Sequence, residues 1–181
     1  VGGRASPAAI MGALSRVLRA QDAVPKREAE GAGMIGIVDV GGGLRGIFGA
    51  AVFDRCLDEG VAFDYVLGVS AGSGNAVAFL AGQRGRNRLF YTEYAARKEY
   101  MSLRNFVRKG SYLDLDYVFS VLSNANGENP LDYDALMANP CGLKVVATDA
   151  SDGSAVYFDK ADLKRDDFGI LKASSGIPVV C

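Results

Sequence analysis

Histidine does not occur in this chain of 181 residues. Its absence removes the usual base for a serine or cysteine nucleophile and the commonest metal ligand. Cysteine is scarce as well. Cys56, Cys141 and Cys181 form an odd set with no Cys-x-x-Cys pair, which fits a reducing compartment better than a disulfide scaffold and leaves no metal site to expect. No apolar run approaches the roughly 18 residues of a membrane span, and the first residues lack the uninterrupted apolar core of a signal peptide, so a cytoplasmic location is expected. Neither sign of charge dominates. A net charge of −1 gives no bulk attraction to nucleic acid, and no nucleic-acid partner is expected. With 49% hydrophobic and 23% charged residues, the chain reads as one domain able to bury its own core.

Glycine, by contrast, is plentiful and is placed where backbone must turn sharply. Phe63 to Val69 is a short apolar, β-branched and aromatic run, the composition of a buried strand, and it ends in Gly68-Val69-Ser70-Ala71-Gly72. Gly-x-Ser-x-Gly is the pattern of a nucleophile elbow, a strained strand-to-helix turn that lifts a serine hydroxyl clear of a sheet. Ser73 to Ala81 follows, small residues first and then apolar residues at helical spacing, with Gly82 as its stop. Such pentapeptides also arise as ordinary turns. If Ser70 is a nucleophile, its base must be something other than histidine, and a carboxylate is the next candidate.

A second glycine cluster sits one strand earlier. Met34 to Val40 reads as a buried strand running into Gly41-Gly42-Gly43-Leu44-Arg45-Gly46, and Ile47 to Leu57 has apolar residues at three- and four-residue spacing with Gly60 past its end. Backbone N–H groups in such a loop, at a helix N-terminus, form a site for negative charge such as the oxyanion of an acyl-transfer intermediate. Gly41, Gly43 and Gly46 also satisfy Gly-x-Gly-x-x-Gly, the dinucleotide fingerprint. The acidic residue expected at the carboxyl end of the next strand is missing, because that strand ends at Ser70 and Asp64 lies at its beginning.

Strand, Gly-Gly-Gly-Leu-Arg-Gly, helix, strand, Gly-Val-Ser-Ala-Gly, helix: from Met34 onward this order resembles the patatin-like phospholipase family, and Ala173-Ser174-Ser175-Gly176-Ile177-Pro178 resembles a further segment of its bacterial members. The resemblance implies a lipid acyl hydrolase with a Ser-Asp dyad and no cofactor. By it Ser70 matches the nucleophile, Gly68 and Gly72 the elbow, the amides of Gly41, Gly42 and Gly43 the oxyanion hole, and Arg45 the arginine of that loop. The family's catalytic aspartate lies in an Asp-Gly-Gly or Asp-Gly-Ala motif downstream of the Ala-Ser-x-x-Ile-Pro segment, and no such motif occurs before Cys181. The base is therefore expected outside this chain, and both termini are expected to belong to a longer protein. Two alternatives remain, a non-catalytic or regulatory domain that keeps the fold without its base, and the dinucleotide binder.

Within the chain Asp152-Gly153 is the single Asp-Gly, and β-rich runs at Lys144 to Asp149 and Ala155 to Phe158 flank it, which reads as a hairpin turn. Asp149, Asp152 and Asp159 are the fallback carboxylates. The expected fold is α/β, a three-layer α/β/α domain with a mainly parallel sheet at 34–40, 64–69, 144–149 and 155–159, C-terminally incomplete and spanning 34–181. Residues 1–33 are expected to hold an amphipathic helix at Ser6 to Ala20 and a polar linker. Short helices are expected at 115–122, 133–138 and 166–174.

Between Arg84 and Lys109 basic residues outnumber acidic ones and interleave with Phe90, Tyr91, Tyr94, Tyr100 and Phe106. The plain reading of 84–109 is a solvated helix whose aromatic face packs on the sheet. The other reading is a surface facing anionic lipid head groups, which would make the protein membrane-peripheral.

Overall fold

A computed structural model describes residues 33–178 and 180–181. The helix expected at 6–20 and all of the expected linker except Gly33 lie outside the described residues. Four strands form one sheet in the order β1 (Gly36–Asp39), β2 (Tyr65–Val69), β3 (Gly142–Thr148) and β4 (Ala155–Asp159). The first three are parallel and β4 returns antiparallel from β3. The mainly parallel α/β sheet expected from the sequence is found. Its one antiparallel pair comes from the Asp-Gly turn, where Gly153 takes φ +78° and the Asp149 and Asp152 carboxylates accept from the Ser151 and Ser154 amides.

Six α-helices fall among the described residues: α1 (Ile47–Asp58), α2 (Ala71–Leu80), α3 (Arg86–Thr92), α4 (Leu103–Lys109), α5 (Tyr133–Ala138) and α6 (Gly169–Ser175). Ile37, Val66, Leu143, Val145 and Phe158 meet one core with Phe53 and Cys56 of α1, Val77, Phe79 and Leu80 of α2, Leu136 of α5 and Leu171 of α6. Strand alternation decides this, because residues two apart share a face. Val38 and Tyr157 are out of phase with that set and stand 61% and 58% exposed. Helix α2 is buried nearly all round, as its small and apolar residues, with Asn75 the one larger polar side chain, require.

The stretch from 84 to 109 departs from the single helix expected of it. α3 stops at Thr92, a 3-10 turn covers Tyr94–Ala96, and Arg97 is extended at φ −73°, ψ 142°. α4 then starts afresh, its Ser102 cap accepting from the Asn105 amide at 3.2 Å, and ends at Gly110 with φ +74°. The aromatic residues pack on one another rather than on the sheet. Tyr94, Ala95 and Tyr100 join Tyr117 and Leu122 in a second core. Helix 115–122 is a π-helical segment, Tyr117–Leu122. The last helix begins three residues later than expected, because Asp166 sits at φ +57° with its carboxylate accepting from the Ala125 amide.

Candidate active site

Ser70 ends β2 and caps α2 at φ 55°, ψ −130°, a backbone conformation that costs a non-glycine residue about 1–3 kcal/mol. Its surroundings hold it there. The Ser70 amide donates to Ser174 Oγ at 2.8 Å, and that hydroxyl donates to the Val146 carbonyl at 2.5 Å. From the other side the Ser73 amide and hydroxyl both donate to the Ser70 carbonyl, at 2.9 and 2.7 Å. Glycine is required at both neighbours for space, not for freedom. A Cβ on Gly68 would stand 2.6 Å from the Ser73 Cα, and one on Gly72 would collide with the Asp39 carbonyl.

The glycine loop lies directly behind this elbow. Gly41, Gly42 and Gly43 have φ of 70°, 118° and 60°, and a Cβ on Gly41 would collide with the Val69 carbonyl. A 3-10 turn at Gly43–Gly46 leads into α1. Of the three amides, that of Gly41 donates to Asp39 Oδ1 at 2.9 Å. No hydrogen bond among the described residues uses the amides of Gly42 or Gly43. These two donors therefore stand unused at the positive end of a helical segment, where backbone N–H groups favour negative charge. The exposed Arg45 side chain lies beside Gly42, its Nε 3.7 Å from where a Gly42 Cβ would be.

A buried network fixes loop to elbow. Asn75, one turn into α2 and 1% exposed, donates through Nδ2 to Asp39 Oδ2 and to the Gly46 carbonyl, both at 2.9 Å. The Tyr91 hydroxyl donates to Asn75 Oδ1 at 3.4 Å. Burial, and then the Asp39 carboxylate, push the Tyr91 phenol well above its ordinary range, so it stays a neutral donor. Sequence reasoning passed over Asp39, Asn75, Tyr91 and Ser174. Asn75 carried a signal, a lone amide in an apolar helix; Ser174 stood in the Ala-Ser-Ser-Gly-Ile-Pro segment, but its partner, 104 residues away, was not readable.

Ser70 lines an open cleft. Gly43, Leu44 and Ala71 line it near the elbow, and Phe90, Tyr100, Leu113, Leu115, Val118 and Phe119 make its walls apolar. No carboxylate is among the described residues that line it. The fallback aspartates are engaged elsewhere. Asp159 closes β4 opposite Lys144 of β3, with which it forms an ion pair at 2.6 Å. The Ser151 hydroxyl and then its amide pull Asp149 below the ordinary carboxylate value, and the Ser154 amide does the same to Asp152, which makes both poor bases. Asp64, at the wrong end of its strand for a dinucleotide site, accepts from the Ile35 amide at 2.6 Å, at the opposite end of β1 from the glycine loop. Among the described residues no cluster of His, Cys, Asp or Glu has the makings of a metal site, and no helix is long and apolar enough to cross a membrane.

A family model described as patatin-like phospholipase matches residues 40–180. Among curated proteins, one described as "Uncharacterized protein YjjU", from Escherichia coli (strain K12), is 33% identical over 150 residues. That match takes in 81% of this chain and 41% of the relative, so the chain spans less than half the length of the protein it resembles.

Proposed function

The chain belongs to the patatin-like phospholipase family, whose members are hydrolases acting on lipids, and we propose that it carries the nucleophile half of a serine lipid acyl hydrolase. The observation that carries this reading is the strained Ser70, set beside two unengaged glycine amides at the mouth of an apolar cleft. In the mechanism Ser70 Oγ attacks the acyl carbonyl, and its proton passes to an aspartate. The Gly42 and Gly43 amides hold the oxyanion, with Arg45 beside them, and water then releases the fatty acid. The Gly41 amide is left out of the hole, because it orders the loop through Asp39. The base is an aspartate from outside the described residues, of the Asp-Gly-Gly type beyond residue 181.

The contact with lipid belongs to α4. Leu103, Phe106 and Val107 are 75%, 48% and 84% exposed, Arg104 and Arg108 stand exposed among them, and the helix holds no acidic residue. An apolar and cationic protrusion of this kind suits an anionic lipid surface.

The test is fluorophosphonate labelling of the longer protein with the modified peptide identified by mass spectrometry. Labelling is expected on Ser70, and S70A is expected to lower hydrolysis of p-nitrophenyl octanoate by about 10⁴-fold or more at unchanged fold. Labelling elsewhere with S70A turnover intact would sink the reading. Residues 1–181 alone are expected to keep only the residual acceleration of the oxyanion hole and binding, roughly 10³-fold over water. Turnover equal to that of the longer protein would place the base at Asp149, Asp152 or Asp159. Full binding of lipid with no turnover in either form would favour a regulatory domain without its base.

A further inference from the structure

Arg86 is the one charged side chain among the described residues that line the cleft. It opens α3 and points its guanidinium at the 123–130 loop. Nε donates to the Pro130 carbonyl at 3.2 Å, and NH2 donates to Ser123 Oγ and the Asn129 carbonyl at 2.9 and 2.8 Å. NH1 donates to Asn87 Oδ1 at 3.3 Å. Every one of these acceptors is neutral. A guanidinium has five N–H groups, and the described contacts use four. The seven ion pairs among the described residues occupy Arg55, Arg84, Arg97, Arg165 and three lysines, and Arg86 is in none of them.

A half-buried cation in an apolar lining with no counter-charge leaves an unbalanced field in the cleft, which a partner of opposite sign would balance. Carbonyl and hydroxyl oxygens supply hydrogen bonds without supplying that charge. A planar fork with a spare N–H is also the group that best matches a carboxylate or phosphate. Burial pulls Arg86 down to about 10, which leaves it protonated at neutral pH. Ser70 and Arg86 belong to different walls. Ser70 is held by Ser174 and flanked by the glycine loop, whereas Arg86 is held by the 123–130 loop.

We propose that Arg86 forms an anion subsite in the cleft, so that the preferred ligand is an amphiphile bearing a carboxylate or phosphate at a distance from the ester that Ser70 meets. This rests on the cleft being the substrate site, and it adds a charge requirement that an apolar acyl channel does not have.

The experiment measures equilibrium binding of dodecanoate, dodecyl phosphate and dodecanol by calorimetry below their micelle concentrations. It uses the full chain with S70A as the background, so that no turnover intervenes. Both anions are expected to bind at least about 10-fold more tightly than dodecanol. A gain for one anion alone tells a carboxylate source from a phosphate source. R86M is expected to remove that preference while leaving dodecanol binding in place, and R86K to keep part of it. Equal binding of anions and alcohol overturns the subsite. So does an anion preference that survives R86M, since the glycine amides would then be its source. Should R86M not fold, phenylglyoxal modification of the wild-type chain decides the matter. Dodecanoate is expected to protect the Arg86 peptide and dodecanol to leave it exposed, and equal protection by both overturns the assignment. Failure of any of these results leaves Ser70 labelling unaffected, so the two readings fall separately.

Discussion

The corner that holds Ser70 and the wall that faces it are built in opposite ways. At the corner the backbone itself is the structural material. Gly41, Gly46, Gly68 and Gly72 let β1, β2 and α2 approach to distances at which a Cβ would strike a neighbour, and each polar group of Asn75 and Ser174 has a partner. The wall is made of side chains. It draws on α3, the Tyr100 and Leu113 stretches around α4, and the π-helical segment, held by a small aromatic core and by Arg86 of α3 bonded to the 123–130 loop. At Gly41, Gly68 and Gly72 the corner has no room for a side chain, whereas the contacts of the wall are long side chains between short helices. In the proposed site this division would fix the chemistry at one end and leave ligand preference to the other.

Substitution in the glycine loop tests the backbone side of this contrast and carries the largest effect expected outside Ser70 itself. Gly43 has nothing within 4 Å of where its Cβ would be, so crowding, the first reason to expect damage, does not apply there. The damage comes from φ +60°, which a residue with a Cβ resists, turning the amide away from the oxyanion. G43A is expected to lower kcat of the longer protein by about 10²-fold with little change in KM. Unchanged kcat in G43A and G42A alike would separate the loop from catalysis.

The same contrast governs what was legible in the sequence. Strands, the hairpin, α1, α2 and α5 followed from periodicity and glycine placement, since their signals are local. The elbow and loop were legible because close backbone approach allows only glycine, and the sequence displays that constraint. Residues 84–122 misled because tyrosines interleaved with arginines have the same composition whether they form a solvated helix or a separate core. Only the long-range contacts of Tyr94 and Tyr100 with Tyr117 decide between them. Arg86 was hidden among its basic neighbours for the same reason.

The buried amide comes next. N75L keeps the volume of the side chain but leaves the Asp39 carboxylate, the Gly46 carbonyl and the Tyr91 hydroxyl each short of one partner. A loss of about 2–3 kcal/mol is expected, read as a fall in Tm of several degrees, together with a drop in kcat. A variant as stable as wild type would show that water replaces the amide and that the corner is looser than its geometry implies.

On the side of the wall, replacing Phe106 and Val107 by serine is expected to weaken binding to vesicles containing phosphatidylglycerol by about 10-fold, at about 0.8 kcal/mol per buried CH₂ and with partial insertion. Hydrolysis of a short soluble ester is expected to stay the same. Sedimentation with sucrose-loaded vesicles reads the first quantity, and a loss on both substrates would mean that α4 supports the fold instead of meeting lipid.

The smallest effect lies where the two regions touch. Lys172 of α6, two residues before Ser174, reaches Asp116 at 2.8 Å and the Ser120 hydroxyl at 3.3 Å, and so links the elbow's support to the wall. The hydrogen bond from Lys172, and then its charge, hold the Asp116 carboxyl below the ordinary value of 3.8. A carboxyl whose value is lowered in the folded state adds stability at pH above its unfolded value, and that increment disappears as the pH falls through the folded value. D116N is therefore expected to be slightly less stable than wild type at neutral pH, by less than about 1 kcal/mol, since Asp116 is 72% exposed and solvent screens the pair. The difference is expected to close below pH 3.8 and to shrink in high salt. Paired melts at pH 7 and pH 3 measure it. A gap that persists at acid pH would mean that Asp116 acts through its shape, and that corner and wall are joined by packing and not by charge.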